Sequence, residues 1–261
     1  MTVSGIEDRV AIVTGAAHGI GAAVARSLSE QGAIVAAVDV DAAGVERIVK
    51  DLRTAGYPAH GYPVDVRDSD AVDAVVFRVE DRVGPVGVLV NVAGVLRTGP
   101  VADSTDADWH DVFAVNLHGV VYCCRAVAQW MVPRRRGVIV TVGSNAAGVP
   151  RVNMAAYAAS KAAAAHFMRC LGLELAPYGI RCNVVAPGST DTAMQRSMWR
   201  SAADAAEVVR GSLPHYKVGI PLGRIADPRD IADAVVFLAS EQARHITMQQ
   251  LYVDGGAALR G

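Results

Sequence analysis

The chain carries almost no net charge: 25 Lys and Arg stand against 26 Asp and Glu, a formal −1, which argues against nucleic acid as its main partner. It lacks an apolar run of the roughly eighteen residues that a membrane-crossing helix needs, because Gly or a charge interrupts each run sooner. Residues 1–9, Met-Thr-Val-Ser-Gly-Ile-Glu-Asp-Arg, hold no signal-peptide core, so we expect a soluble, cytoplasmic protein with no membrane partner. Cysteine is sparse. The four, at 123, 124, 170 and 182, have neither metal-finger nor CxxC spacing, so no metal is expected and the thiols read as buried and free. No repeat, low-complexity tract or linker divides the sequence. With 52% hydrophobic and 20% charged residues, a single domain over 1–261 can bury a full core. The one irregular region lies at about 187–222.

What is present is periodic. Short apolar runs at about 9–13, 33–38, 59–64, 86–91, 138–142, 179–186 and 248–253 alternate with helical stretches at about 22–31, 42–55, 69–83, 106–132, 154–176 and 227–240. Seven strands interleaved with helices describe an α/β fold, a Rossmann-type doubly wound parallel sheet in one domain. Thr105 with Asp108 three residues on reads as a capping box opening the helix at 106–132, and Pro228 as the first turn of another. The amphipathic stretch 189–199 follows a strand end, where a lid over substrate would sit. Arg134, Arg135 and Arg136 read as a solvated turn.

The first strand runs into Thr14-Gly15-Ala16-Ala17-His18-Gly19-Ile20-Gly21. Its three glycines let the backbone turn tightly and approach a pyrophosphate at a helix N-terminus. The second strand ends at Asp39, close to where an acidic residue grips an adenosine ribose. A carboxylate there favours NAD because it repels a 2′-phosphate, and no Lys or Arg stands in the glycine loop or at 40–43 to offset it. Asp65 and Val66, ending the third strand, would border the adenine; Asp65 as a simple turn acid is the competing reading. The small residues of Asn91-Val92-Ala93-Gly94 would let the backbone after the fourth strand lie against the cofactor.

Tyr157 and Lys161 are four apart in an Ala-rich run, which puts both on one helical face. A free tyrosine titrates near pH ~10 and becomes a useful acid or base at neutral pH only when a nearby cation lowers that value. Lys161 is placed to do so. Ser144 follows a buried strand and would present its hydroxyl at the strand end, where α/β proteins bind ligands. Asn116 is an amide in an otherwise apolar helical stretch. It must satisfy backbone groups or order water near the site, and both can hold.

In order and at family spacing, Thr14-Gly15-x-x-x-Gly19-x-Gly21, Asn91-x-Ala93-Gly94, Asn116, Ser144, Tyr157-x-x-x-Lys161 and Pro187-Gly188 resemble the short-chain dehydrogenase/reductase family along essentially the whole chain. The resemblance implies a catalytic tetrad of Asn116, Ser144, Tyr157 and Lys161. It implies an NAD site on Gly15, His18, Gly19, Ile20, Gly21, Asp39, Asp65, Val66, Asn91, Ala93, Gly94, Pro187, Gly188 and Thr190, with Tyr157 and Lys161 at the ribose and Thr192 near the nicotinamide amide. It also implies a homotetramer built through the helices at 106–132 and 154–176 and the last strand. Val92 departs from the second Asn common in the family, and with Asn91 kept little consequence is expected.

A narrower resemblance, to family members that oxidise a dihydroxycyclohexadiene carboxylic acid, rests on Gly94-Val-Leu-Arg97, Pro150-Arg151, Arg181-Cys-Asn-Val, Pro187-Gly-Ser-Thr-Asp-Thr192, Met194-Gln-Arg196, Lys217-Val-Gly-Ile-Pro-Leu-Gly223 and His245-Ile-Thr. It implies a small cyclohexadiene carboxylic acid as substrate. Arginine suits that carboxylate because its planar fork binds both oxygens. Arg151 ranks first as receptor, then Arg97, then Arg196, with Met194, Gln195 and Met198 closing over the ring. The amino analogue of the acid, a 3-oxoacyl thioester as substrate of a reductase, and a non-catalytic nucleotide sensor stand as alternatives. Asp39 weighs against the second, since such reductases usually use NADP, and the intact tetrad against the third.

Overall fold

The computed structural model describes residues 4–199 and 203–259; of the expected lid, residues 200–202 lie outside the described residues, as do the chain ends 1–3 and 260–261. Seven parallel strands form one sheet in the order β3-β2-β1-β4-β5-β6-β7. They are β1 Val10–Thr14, β2 Ile34–Asp39, β3 Ala59–Pro63, β4 Val86–Asn91, β5 Gly137–Val142, β6 Ile180–Pro187 and β7 Gln250–Val253. Between β1 and β4 lie α1 Gly19–Glu30, α2 Ala42–Thr54 and α3 Ser69–Arg82. Later come α4 Asp106–Phe113, α5 Val120–Arg134, α6 Ala155–Leu175, the short α7 Ala193–Arg196 and α8 Ala203–Arg210, and α9 Pro228–Ala239.

Helices cover both faces, so most of the central strands read as near-continuous apolar runs rather than alternating ones. Successive strand side chains still part to opposite sides. Ala11 and Val13 enter a core with Val24 and Leu28 of α1 and Ile231 and Val235 of α9. Val10 and Ile12 enter the other, with Val75 and Val79 of α3, Val127 and Met131 of α5 and Met168 of α6.

Three expectations are corrected. The helix expected over 106–132 is α4, then a π-helical turn Ala114–Gly119, then α5. Its capping box is present, with Asp108 N donating to Thr105 Oγ1 and Thr105 N to Asp108 Oδ2, each at 3.2 Å. The last strand begins at Gln250 rather than 248, because Met248 is in the left-handed region at φ 60° while its N–H donates to Cys182 O at 2.6 Å. Cys123, Cys124 and Cys182 are buried, but Cys170 is exposed; it falls between the inward positions Met168 and Leu171 of α6. The run Asp106–Arg134 is long and apolar enough by composition to cross a membrane, with half of its most apolar window buried inside the fold.

The strand order reverses between β1 and β4, and a crevice opens beyond their carboxyl ends, where open α/β sheets bind ligands. The two ends are knitted together: Thr14 Oγ1 accepts from Val92 N at 3.0 Å and Ala93 N at 3.2 Å. Gly15, at φ 65°, makes that approach possible, since a Cβ there would stand 2.7 Å from Ala93 N.

Candidate active site

A cavity of about 580 Å³ occupies the crevice, running from the glycine loop to the segment between β6 and α9. At one end Gly15, His18, Gly19, Ile20 and Gly21 form its wall. The first turn of α1 carries no acid and no side-chain cap, leaving its N–H donors and the positive end of the helix dipole for an anion. Asp39 borders the same end, its carboxylate fixed by Ala17 N on Oδ2 and Asp41 N on Oδ1, both at 3.0 Å. Asp65 and Val66 also line the wall. Asp65 is gripped by Arg67 at 2.7 Å, which holds its carboxyl below the usual carboxylate range. Uncapped helix amides, a close-approach glycine and a fixed carboxylate beside them fit a dinucleotide.

The centre is built by β5 and α6. Ser144 stands at the end of β5, its Oγ accepting from Ala146 N at 3.1 Å and hydrogen-bonded to the Tyr157 phenol. Lys161 is buried one turn beyond Tyr157, with Nζ 5.9 Å from the phenol ring centroid and donating to Val142 O at 3.0 Å. Burial raises the Tyr157 pKa and the Ser144 hydrogen bond opposes it. Burial pushes the Lys161 ammonium down to about 8. The expected lowering of Tyr157 by Lys161 is therefore not what this arrangement has; the ammonium is turned to the Val142 carbonyl. Lys161 keeps two of its three donors free of that bond.

Asn116 is completely buried in the π turn and off the cavity wall. Its Oδ1 accepts from Val95 N at 2.9 Å, and its Nδ2 donates to Val95 O at 3.0 Å and Ser160 Oγ at 3.1 Å. Ser160 Oγ in turn donates to Tyr157 O at 2.8 Å. The side chain thus pins the loop after β4 to the turn of α6 that carries Tyr157, and its amide satisfies backbone groups as expected of it. Ser160 was not singled out from the sequence, although it sits inside the Tyr-Lys motif. Asn91 also lies behind the wall, donating to Thr141 Oγ1 at 3.2 Å and Cys124 Sγ at 3.3 Å. Ala93, Gly94, Pro187, Gly188, Thr190 and Thr192 all reach the cavity.

At the far end the three arginines part company. Arg97 lines the cavity but is held by Asp111 at 2.7 Å. Arg196 is absent from the wall: its Nε and Nη2 bind Asp191 at 2.6 and 2.8 Å in the open. Arg151 lines the cavity and, among the described residues, makes no ion pair; burial lowers its pKa, opposed by the more distant charge of Asp254. Met194, Gln195 and Met198 border the same space. Sequence reading missed three charged wall residues, Arg67, Asp111 and Lys217. Only Lys217 had a signal, as the first residue of a segment in the narrower resemblance.

A family model described as enoyl-(acyl carrier protein) reductase matches residues 15–258. A protein of Bacillus subtilis (strain 168) named 2,3-dihydro-2,3-dihydroxybenzoate dehydrogenase is 56% identical over 259 residues, 99% of each chain. Among solved structures, a 7α-hydroxysteroid dehydrogenase complexed with NADH and 7-oxo glycochenodeoxycholic acid is 30% identical with TM-score 0.90, covering 97% of this chain and 95% of its own. A gluconate 5-dehydrogenase from Burkholderia cenocepacia J2315 in complex with NADP and tartrate is 32% identical with TM-score 0.90, covering 98% and 97%.

Proposed function

The chain belongs to the short-chain dehydrogenase/reductase family, and from that premise we propose that it oxidises the ring C3 alcohol of 2,3-dihydro-2,3-dihydroxybenzoate with NAD, giving 2,3-dihydroxybenzoate after aromatisation, a catechol acid of the kind built into siderophores. The observation that carries the reading is Arg151, a cation without an ion pair among the described residues, on the wall of the cavity that holds the Tyr157 phenol. A neutral alcohol or a thioester would leave that charge unanswered. The 56% identical relative bears the name of this activity.

In the proposed reaction Tyr157, as phenolate, takes the hydroxyl proton, and Ser144 orients that hydroxyl by a hydrogen bond. Lys161, still charged at neutral pH, offers its two remaining donors to the nicotinamide ribose. When bound, the nicotinamide supplies the acceptor for the hydride from the same carbon. Asn116 acts as a positioning residue through Val95 and Ser160.

NAD rather than NADP is assigned to the cofactor because Asp39 would meet a 2′-phosphate with a fixed negative charge. Residues 187–222 serve as the substrate cover, and the location is cytoplasmic. The assembly is a homotetramer, consistent with the exposed Trp130 on α5, Leu173 on α6 and Leu251 on β7. The deciding experiment follows NADH absorbance with purified protein, as NAD is reduced by 2,3-dihydro-2,3-dihydroxybenzoate or by its amino analogue 2,3-dihydro-3-hydroxyanthranilate, and as NADH is consumed by a 3-oxoacyl thioester. The hydroxy acid is expected to give the highest kcat/KM; a higher value for either other compound overturns the assignment.

A further inference from the structure

Lys217 comes from a different segment from Arg151 and lines the same cavity. The chain is built to bring it there. Gly211 and Gly219, at φ 87° and 85°, let the backbone leave α8 and return: a Cβ on Gly211 would stand 2.5 Å from Lys217 O, and one on Gly219 2.5 Å from Val209 O. Ser212 and Lys217 exchange backbone hydrogen bonds at 2.9 and 3.0 Å, and Tyr216 closes the turn in the left-handed conformation at φ 52°. Ile220 N donates to Val209 O at 2.9 Å, tying the far side of the turn back to the helix. A non-glycine residue in the left-handed region is costly enough to need such support.

Two cations from separate segments face one cavity. Among the described residues the Lys217 ammonium makes no hydrogen bond or ion pair, and Arg151 makes no ion pair. Arg151 is half-buried and Lys217 stands exposed at the cavity rim, where burial of its stem and the Arg151 charge hold its ammonium below the usual lysine value. The carboxylates that act on them, Asp254 on Arg151 and Glu207 on Lys217, do so only through space. Two like charges gathered in a cleft from separate segments repel one another, a cost that a bound carboxylate would reverse.

We propose that Lys217 and Arg151 together form the receptor for the substrate's carboxylate, with Lys217 as a specificity-determining residue delivered by the 211–219 turn. The fork of Arg151 takes both oxygens and the ammonium of Lys217 adds a point charge from the lid side. This deepens the function proposed above and rests on it.

The test titrates the NAD-loaded protein with salicylate and salicylamide by calorimetry, for the unmutated protein, Lys217→Met and Lys217→Arg, and follows oxidation of the dihydroxy acid in parallel. Lys217→Met is expected to weaken salicylate roughly tenfold to a hundredfold while salicylamide changes less than about twofold. Lys217→Arg recovers most of the loss, and in turnover the defect falls in KM rather than kcat. Equal effects of Lys217→Met on the two ligands, or no effect on salicylate, overturn the proposal. Should the unmutated protein fail to oxidise the acid, the function proposed above falls, while the salicylate comparison still decides the role of Lys217.

Discussion

Lys161→Met is expected to stabilise the protein and silence it. Lys161 is 5% exposed, and burial has carried its ammonium from 10.5 to about 8. A shift of that size is worth about 3 kcal/mol of unfavourable charge burial at neutral pH. Below pH 8 the whole penalty is present. Between pH 8 and 10.5 the unfolded chain keeps a proton that the folded chain has released, so stability rises with pH through that window. Methionine keeps the apolar stem and removes the charge, but it also strips Val142 O of its 3.0 Å donor, a loss of about 1 to 2 kcal/mol. The variant should therefore be more stable by about 1 to 2 kcal/mol at pH 7, and the difference should move against it by about 2 to 3 kcal/mol on reaching pH 10, leaving it the less stable of the two.

Urea unfolding without cofactor, at one protomer concentration and at pH 7 and pH 10, measures both numbers. Groups titrating alike in the two proteins cancel in the difference. A gap between variant and parent that stays constant over this range would show that Lys161 is not titrating as a buried amine, and the reasoning would be refuted. Turnover of the variant should be lost at both pH values, which identifies the buried charge as retained for chemistry at the expense of the fold.

Tyr157→Phe should lower kcat by about a hundredfold to ten-thousandfold while NAD affinity, read by fluorescence titration, is kept; near-normal turnover would remove the phenol from the mechanism. Asp39→Ala should narrow the preference for NAD over NADP, and comparable kcat/KM for the two cofactors in the unmutated protein would refute the assignment. Arg151→Met should lower kcat/KM for the acid by roughly tenfold to a hundredfold and spare its methyl ester, whereas Arg196→Met should affect neither; selective damage from Arg196 would mean that its Asp191 pair opens to admit substrate. Light scattering should give about four times the 27.3 kDa subunit mass, and a single-subunit mass excludes the tetramer.

The central strands were legible because helices bury both faces of the sheet, so each had to be apolar nearly throughout, whereas the edge strands β3 and β7 are half exposed. The glycine loop was legible because a Cβ on Gly15 would stand 2.7 Å from Ala93 N, so only glycine fits there. Asn116 was found as a residue but not as a geometry. Its apolar neighbours look the same in an α-helix and in a π turn, and its partners Val95 and Ser160 come from two other parts of the fold. The fate of Arg97 was equally hidden, since Asp111 is fourteen residues away and becomes its partner only once α4 packs beside the β4 loop. Cys170 was misread because composition marks cysteine as a buried residue, whereas its face of α6 is set by helical phase.

Charge bookkeeping explains why ranking arginines from sequence placed Arg196 among the receptors. Near-neutrality of the chain is achieved locally at the mouth of the cleft. Arg67 is answered by Asp65 at 2.7 Å, Arg97 by Asp111 at 2.7 Å and Arg196 by Asp191 at 2.6 Å. Each of these pairs is exposed enough that its worth to stability is small, but each removes a cation from the contest for an incoming acid. A paired arginine must first give up its carboxylate before it can bind another, and so gains little. Lys161 on the same wall is committed to Val142 O, which leaves Arg151 and Lys217 as the other cavity-wall cations that, among the described residues, have no such answer. Recognition of a carboxylate is then decided less by which arginines lie near the reacting carbon than by which cations the fold has left without a partner of their own.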